Sequence, residues 1–82
     1  MRLPRDLSGA QLVSMLGGYG YRVTRQTASH IRLTSTLKGA EHHVTVPAHK
    51  SLRVGTLSAI VHEVARYLEI ESEQLAHELF RH

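Results

Sequence analysis

Residues 21–47 read YRVTRQTASHIRLTSTLKGAEHHVTVP, and this stretch decides the fold. Apolar and polar residues alternate in three short runs, at 21–26, 30–34 and 41–46, with the period of a half-buried β-strand. The connections at 27–29 and 35–40 are short enough for hairpins, so the pattern predicts an antiparallel meander. Pro47 ends the third strand because it has no N–H to donate to a ladder.

The same alternation assigns the side chains to two faces of the predicted sheet. The apolar face takes Tyr21, Val23, Ile31, Leu33, Val44 and Val46. The opposite face takes Arg22, Thr24, Gln26, His30, Arg32, Thr34, His43 and Thr45. One face is therefore expected to pack against helices, and the other to gather His30 with arginines.

Helix signals flank the strands on both sides. Ser8 and Gln11 have capping-box spacing, which predicts a helix over Gly9–Leu16 that stops at Gly17-Gly18. Thr56 is a good N-cap for a second, amphipathic helix with its apolar stripe at Leu57, Ile60, Val61, Val64 and Leu68. A short third helix begins near Ser72. The chain is expected to be one α+β domain over residues 1–82, with helices packed on one face of a three-stranded antiparallel sheet.

Composition bounds the class of protein. The 82 residues include no cysteine, which excludes disulfides and cysteine-ligated zinc and fits a reducing compartment. No apolar run has the length of a signal peptide or a membrane span. We expect a soluble, cytoplasmic protein that does not contact a membrane.

Charge is distributed unevenly along the chain. Residues 1–57 hold eight basic and two acidic residues, a net charge of +6, whereas residues 58–82 have a net charge of −3. This asymmetry predicts a polyanionic partner for residues 1–57. The alternative is a solvated surface whose charge is unevenly distributed without any partner. Arginines outnumber lysines eight to two, which favours phosphate recognition because the guanidinium fork matches phosphate geometry.

His30 is the leading candidate for chemistry among seven histidines. It opens the second strand, and the alternation directs its ring to the face that carries Arg22 and Arg32. RNA cleavage through the 2′-OH requires a base for that proton, an acid for the leaving oxygen and cations around the phosphate. The alternative is a histidine that only occupies a polar sheet face.

Other candidates are weaker. His49, Lys50 and Arg53 precede the second helix, whose N-terminus attracts anions, so they form either a phosphate seat or ordinary loop charges. His42 and His43 are adjacent on a strand and point to opposite faces, which argues against a shared metal. Ser29 and His30 are not expected to form a hydrolase pair, since adjacent strand residues face opposite ways and no orienting acid is evident. His62, His77 and His82 look incidental.

Three motifs resemble the signatures of the HicA toxin family, in the same order and spacing, across about residues 8–70. They are Ala28-Ser29-His30, Val44-Thr45-Val46-Pro47-Ala48-His49 and Gly55-Thr56-Leu57-Ser58-Ala59-Ile60. The family pattern has a Gly-Ser-His turn, a V-P-x-H segment and a G-T-L-x-x-I opening of the second helix. Ala28 stands where that pattern has glycine, and a positive φ there would be strained.

The resemblance implies an mRNA interferase, a toxin whose fold is similar to double-stranded-RNA-binding domains. It implies that His30 is the active residue, that no metal or other cofactor is needed, and that a HicB-type antitoxin covers the active face. Ser29 would help to position the site. The expected RNA contacts are Arg22, Ser29, Arg32, His49, Lys50 and Arg53. The competing interpretations are a non-catalytic RNA-binding module and a protein-interaction domain.

Overall fold

The computed structural model describes residues 1–81. Its elements are α1 (Gly9–Leu16), a 3-10 turn (Gly17–Tyr19), β1 (Arg22–Gln26), β2 (His30–Ser35), β3 (His42–Pro47), α2 (Val54–Leu68) and α3 (Ser72–Phe80). The strands form an antiparallel sheet in the order β1-β2-β3. The predicted α+β class, element order and meander are confirmed. No helix within residues 1–81 is long and apolar enough to cross a membrane.

The core lies between the helices and one face of the sheet. Four strand residues on this inner face are at most 6 % exposed, namely Ile31, Leu33, Val44 and Val46. The helices contribute Leu12, Leu16, Leu57, Ile60, Val61, Val64, Leu68, Leu75 and Leu79. On the outer face, His30, Arg25 and Thr45 are exposed and Arg32 is half-buried, whereas Thr34 is 4 % exposed.

The start of α1 is fixed by a local cap and a close contact. Ser8 Oγ accepts from the Gln11 amide and Gln11 Oε1 accepts from the Ser8 amide, which confirms the predicted capping box. The Gly9 amide donates to the His49 carbonyl at 2.9 Å. A Cβ at Gly9 would lie 2.1 Å from the Pro47 carbonyl oxygen, so only glycine allows the helix to approach β3 this closely.

A β-bulge overturns part of the predicted alternation in β1. Val23 pairs with Leu33 but Arg25 pairs with Arg32, so Thr24 is the extra residue. Arg25 consequently shares the outer face with Arg32. Gln26 turns to the inner face with Ile31, so its predicted place on the outer face was wrong. Val23 keeps its predicted side but is 46 % exposed, because it lies on an edge strand beyond the reach of the helices.

The second helix begins earlier than predicted. Arg53 is its N-cap and Val54 its first residue, so the assignment of Thr56 as N-cap was wrong. Leu52 fixes the chain here, since it is 2 % exposed and its amide donates to the Leu7 carbonyl. This anchor orients the following residues for a helix whose first turn has no side-chain cap.

His42 and His43 point to opposite faces, as predicted. The His42 ring stacks on Tyr67 with centroids 4.7 Å apart, and its Nδ1 lies 2.6 Å from the Tyr21 hydroxyl. Its Nε2 lies 3.3 Å from Glu63. Burial raises the pKa of Tyr21, so this hydroxyl stays protonated beside His42. The cluster ties β3 to α2, which gives His42 a structural role.

Candidate functional site

The turn between β1 and β2 holds the backbone of His30 by three bonds from a single residue. The His30 carbonyl accepts from the Thr27 amide at 2.9 Å and from its hydroxyl at 3.4 Å. The His30 amide donates to Thr27 Oγ1 at 3.1 Å. A Thr can close a turn through its hydroxyl in this way. Thr27 therefore positions the backbone of His30, a role that the sequence did not indicate.

Ala28 occupies this turn without a left-handed backbone. Within residues 1–81 a positive φ occurs only at Glu69, Gly20 and Gly39. The strain expected from an alanine in the glycine position is therefore absent. Two-residue hairpin turns of the usual types need positive φ, and the bond from the His30 amide to Thr27 Oγ1 shows how this turn closes without it.

Ser29 and His30 form a direct side-chain pair. Ser29 Oγ lies 2.9 Å from His30 Nδ1, so the expectation that the two side chains diverge was wrong. The reason is that Ser29 belongs to the turn, not to β2, and is free of the strand alternation. The hydroxyl occupies Nδ1 and leaves Nε2 of the exposed ring as the nitrogen available to a ligand.

The segment that follows β3 is bonded to this turn. The Ala48 amide donates to the Ser29 carbonyl at 2.9 Å. One residue later, the His49 carbonyl accepts from the Gly9 amide. His30 itself lies opposite Pro47 in the sheet. His49 follows Pro47, the strand partner of His30, by two residues. Its exposed side chain is therefore held at the same end of the sheet as His30.

Arginines extend from His30 across the outer face. Arg32 is two residues from His30 on the same face, about 7 Å away along the strand, and Arg25 lies opposite Arg32. Arg22 lies opposite Thr34, about 13 Å from His30 along the sheet. None of the three forms an ion pair within residues 1–81. Side-by-side guanidinium groups repel each other, so this face favours a polyanion.

Arg25 was missed by sequence reasoning. Strict alternation placed it on the inner face, and only the bulge brings it beside Arg32. Nothing in residues 21–26 marks the bulge, because it is a shift in the pairing with β2. The Thr24 hydroxyl lies 2.8 Å from Thr34 Oγ1 on that neighbouring strand. Of the predicted outer-face arginines, the structure brings Arg32 close to His30 and leaves Arg22 at the far end.

Lys50 and Arg53 lie on the other side of His49, before α2. Both are exposed, and neither forms an ion pair in the described part of the chain. Because Arg53 is the N-cap of a fifteen-residue helix, its side chain starts beside the free amides of Val54 and Gly55. Helix N-termini with a nearby cation attract phosphate groups. The helix N-terminus of the predicted phosphate seat thus lies three residues earlier than expected, at Arg53 instead of Thr56.

His43 belongs to a separate network on the outer face. Its Nδ1 lies 2.8 Å from Thr34 Oγ1 and its Nε2 lies 3.0 Å from Glu41. Both ring nitrogens are occupied, and His43 lies four strand positions from His30, about 13 Å. It cannot share one proton-transfer step with His30. Within residues 1–81, no group of three or more His, Asp or Glu side chains is arranged to hold a metal ion.

A cleft opens on the inner side of the same end of the sheet. Its volume is about 260 Å³, and its walls come from α1, the end of β1 and residues 48–50. Two larger clefts, of about 540 and 610 Å³, lie between β3 and α2, away from His30. None of these three clefts is lined by the Ser29–His30 pair or by the outer-face arginines, but the smallest lies at the same end of the sheet as His30.

One comparison with known proteins gives a match. The model of the family described as HicA toxin of bacterial toxin-antitoxin matches residues 9–69, about three quarters of the chain. The matched range includes the turn at 27–30, the segment after β3 and the start of α2. Neither the curated proteins nor the solved structures gave a match.

Proposed function

The chain belongs to the HicA toxin family of bacterial toxin–antitoxin systems, and from that premise we propose that it is a metal-independent endoribonuclease that cleaves mRNA with His30. One observation carries the proposal. An exposed imidazole, held by Thr27 and Ser29, lies between outer-face arginines and the cationic loop before α2. We assign the whole chain to one domain, which contains this site. The proposed place of action of the protein is the cytoplasm, where mRNA is translated.

The proposed chemistry follows the demands of RNA cleavage. The ribose 2′-oxygen attacks the adjacent phosphorus, a new P–O bond forms, and the bond to the 5′-oxygen breaks. Ser29 Oγ lies 2.9 Å from His30 Nδ1. In the proposed mechanism the ring carries its proton on Nδ1, which donates to Ser29 Oγ, and Nε2 accepts the 2′-OH proton. Arg25 and Arg32 stabilise the negative charge that develops on the phosphate oxygens. No step needs a metal ion.

His49 is the proposed acid for the leaving 5′-oxygen. It is exposed, its ring makes no hydrogen bond within residues 1–81, and its segment is bonded to Ser29. His43 is excluded from this role by its distance and its occupied nitrogens. A general acid or base of this kind contributes typically about 10²–10⁴-fold to the rate.

RNA binding outside the reacting phosphate is assigned to two groups of cations. Arg22, Arg25 and Arg32 follow the outer face, and Lys50 and Arg53 border the start of α2. Membership of the family implies an antitoxin partner. We assign a HicB-type antitoxin to the same cationic surface, where acidic side chains complement unpaired arginines and cover His30.

Induced expression in a bacterial host tests the proposal. Wild type should arrest growth and fragment a reporter mRNA, whereas His30→Ala should do neither and still bind the antitoxin. His77→Ala is the matched control, since His77 is an exposed histidine on α3, remote from the turn. Purified wild type should cut RNA in the presence of a chelator.

The competing functions give different results. A non-catalytic RNA-binding module predicts that His30→Ala still arrests growth and that Lys50 and Arg53 dominate the effect. A pure protein-interaction domain predicts no salt-dependent retention on RNA in the absence of the antitoxin. A His30→Ala protein that still fragments the message rejects the catalytic assignment.

A further inference from the structure

We propose that the cleft beside the hairpin turn binds one nucleobase of the RNA and that Gln26 reads its edge. This inference rests on the proposed RNA substrate, but it concerns a different part of the surface from the outer-face arginines. The cleft volume of about 260 Å³ is below the roughly 300–1,000 Å³ of sites for drug-sized ligands and suits a small planar group.

Gln26 enters the cleft only because of the bulge at Thr24. The shifted register pairs Gln26 with Ile31, so its side chain lines the inner cleft and not the outer face. Its amide makes no hydrogen bond within residues 1–81. A glutamine amide offers one acceptor and two donors side by side, which is the group that distinguishes one base edge from another.

The other walls suit the faces of a base. Ile31, which is 6 % exposed, gives the cleft an apolar lining, and His49 also lines it. Bases of single-stranded RNA are typically bound by stacking on such rings while their edges are hydrogen-bonded. Lys50 lines the cleft as well and supplies a cation for the phosphate of the bound nucleotide.

The position of the cleft links base recognition to cleavage. Ile31 follows His30 directly in β2, so the cleft floor and the reactive ring are on opposite faces of one strand, one residue apart. The proposed acid His49 lines the cleft and also follows the segment bonded to Ser29. A nucleotide with its base in the cleft therefore has its phosphate at the edge where His30 lies.

Binding of uncleavable RNA tests the inference without using activity. Wild-type protein is titrated with four 2′-O-methyl dinucleotides that differ in one base, and amide shifts are followed by NMR. We expect shifts at Ala10, Gln26 and Lys50, and at least about tenfold tighter binding of one base than of the weakest, the effect of one good amide–base pair. Gln26→Ala should bring the four affinities within about threefold of each other.

Gln74→Ala is the matched control, since Gln74 is an exposed glutamine on α3, remote from the cleft. It should leave the base preference unchanged. Gln26→Glu, which keeps the acceptor and loses the donors, should alter which base is preferred. Thermal melting of each variant confirms that the fold is retained.

The outcomes separate this inference from the proposed function. If wild type cleaves RNA but Gln26→Ala keeps the same base preference and the same cut sites, the cleft assignment is rejected and the ribonuclease stands. If base-selective shifts appear at Gln26 and no cleavage is found, the ribonuclease is rejected and the cleft stands. Shifts confined to the outer-face arginines, without base preference, also reject the cleft.

Discussion

The hydroxyl of Ser29 lies 2.9 Å from Nδ1 of His30, so one turn residue occupies one of the two ring nitrogens. The bond at Nδ1 holds the orientation of the ring, and in the proposed mechanism the hydroxyl accepts from Nδ1–H and leaves Nε2 unprotonated. The Ser29 carbonyl is itself bonded to Ala48. The orientation of the ring is thus linked to the segment that carries His49.

Ser29→Ala should lower the cleavage rate about two- to tenfold, because the hydrogen bond that favours the proposed Nδ1–H tautomer contributes roughly 0.5–1.5 kcal/mol. The imidazole ¹⁵N shifts of His30 should move toward the other tautomer, a change that a loss of stability does not produce. Ser14→Ala, at an exposed serine of α1, is the control. Unchanged rate and unchanged ¹⁵N shifts would contradict the positioning role.

Thr27→Val should reduce cleavage severalfold while changing the free energy of unfolding by less than about 1 kcal/mol, because the lost bonds to His30 are exposed. Valine keeps the shape and the amide bond but removes the hydroxyl. Thr27→Ser retains the hydroxyl and should restore most of the rate. Equal activity of the valine and serine variants would show that the turn holds His30 without the hydroxyl.

Arg25→Gln should weaken RNA binding without base preference. Each lost phosphate contact to a single strand lowers the slope of log affinity against log salt by about 0.7. Arg66→Gln on α2, outside both cationic groups, is the matched control and should leave the slope unchanged. Retention of each variant on immobilised RNA across a salt series measures the affinity and the slope. If Arg25→Gln has the slope of wild type, the outer face beside Arg32 does not contact RNA.

Gly9→Ala should destabilise the fold by about 1–3 kcal/mol, the usual effect of overpacking, because the added Cβ meets the Pro47 carbonyl at 2.1 Å. A domain of this size has only roughly 3–5 kcal/mol to lose. Gly17→Ala is the control, since its φ is −56° and its added Cβ meets nothing within 4 Å. Denaturant unfolding should show Gly17→Ala as stable as wild type or slightly more stable, and the opposite order would refute the contact.

Tyr19→Phe should change how stability depends on pH. The Tyr19 hydroxyl donates to Glu78 at 2.5 Å. Burial, followed by the bond and charge of Glu78, raises the pKa of Tyr19 from 10.0 to about 12. The same hydrogen bond lowers the pKa of Glu78.

The signs of these two shifts define the test. A raised tyrosine pKa gives stabilisation that is complete below pH 10.0 and disappears as the pH rises through about 12. A lowered carboxyl pKa gives stabilisation that is present above the ordinary value of 4.5 and is lost as the pH falls through the lowered one. The Tm difference between wild type and Tyr19→Phe should therefore be largest near neutral pH. A difference that is constant with pH would contradict the bond.

The sequence determined the features that depend on residues close together in the chain. The capping box of Ser8 and Gln11 is three residues long, and α1 begins and ends as predicted. The period of two in residues 30–34 and 41–46, and the helical stripe from Leu57 to Leu68, each reflect local geometry repeated over a few residues. Element order, the meander and the opposite faces of His42 and His43 followed from these patterns.

The tertiary structure decided what depends on distant partners. The bulge at Thr24 is a feature of the pairing between β1 and β2, and it puts Arg25 on the outer face and Gln26 on the inner face. The start of α2 is set by the anchoring of Leu52 to Leu7, which overrides the better N-cap signal of Thr56. Sequence propensity records the preferences of a segment alone, whereas register and anchoring are set by hydrogen bonds across the fold. For this reason the motifs pointed to His30, but only the folded chain shows which residues surround it.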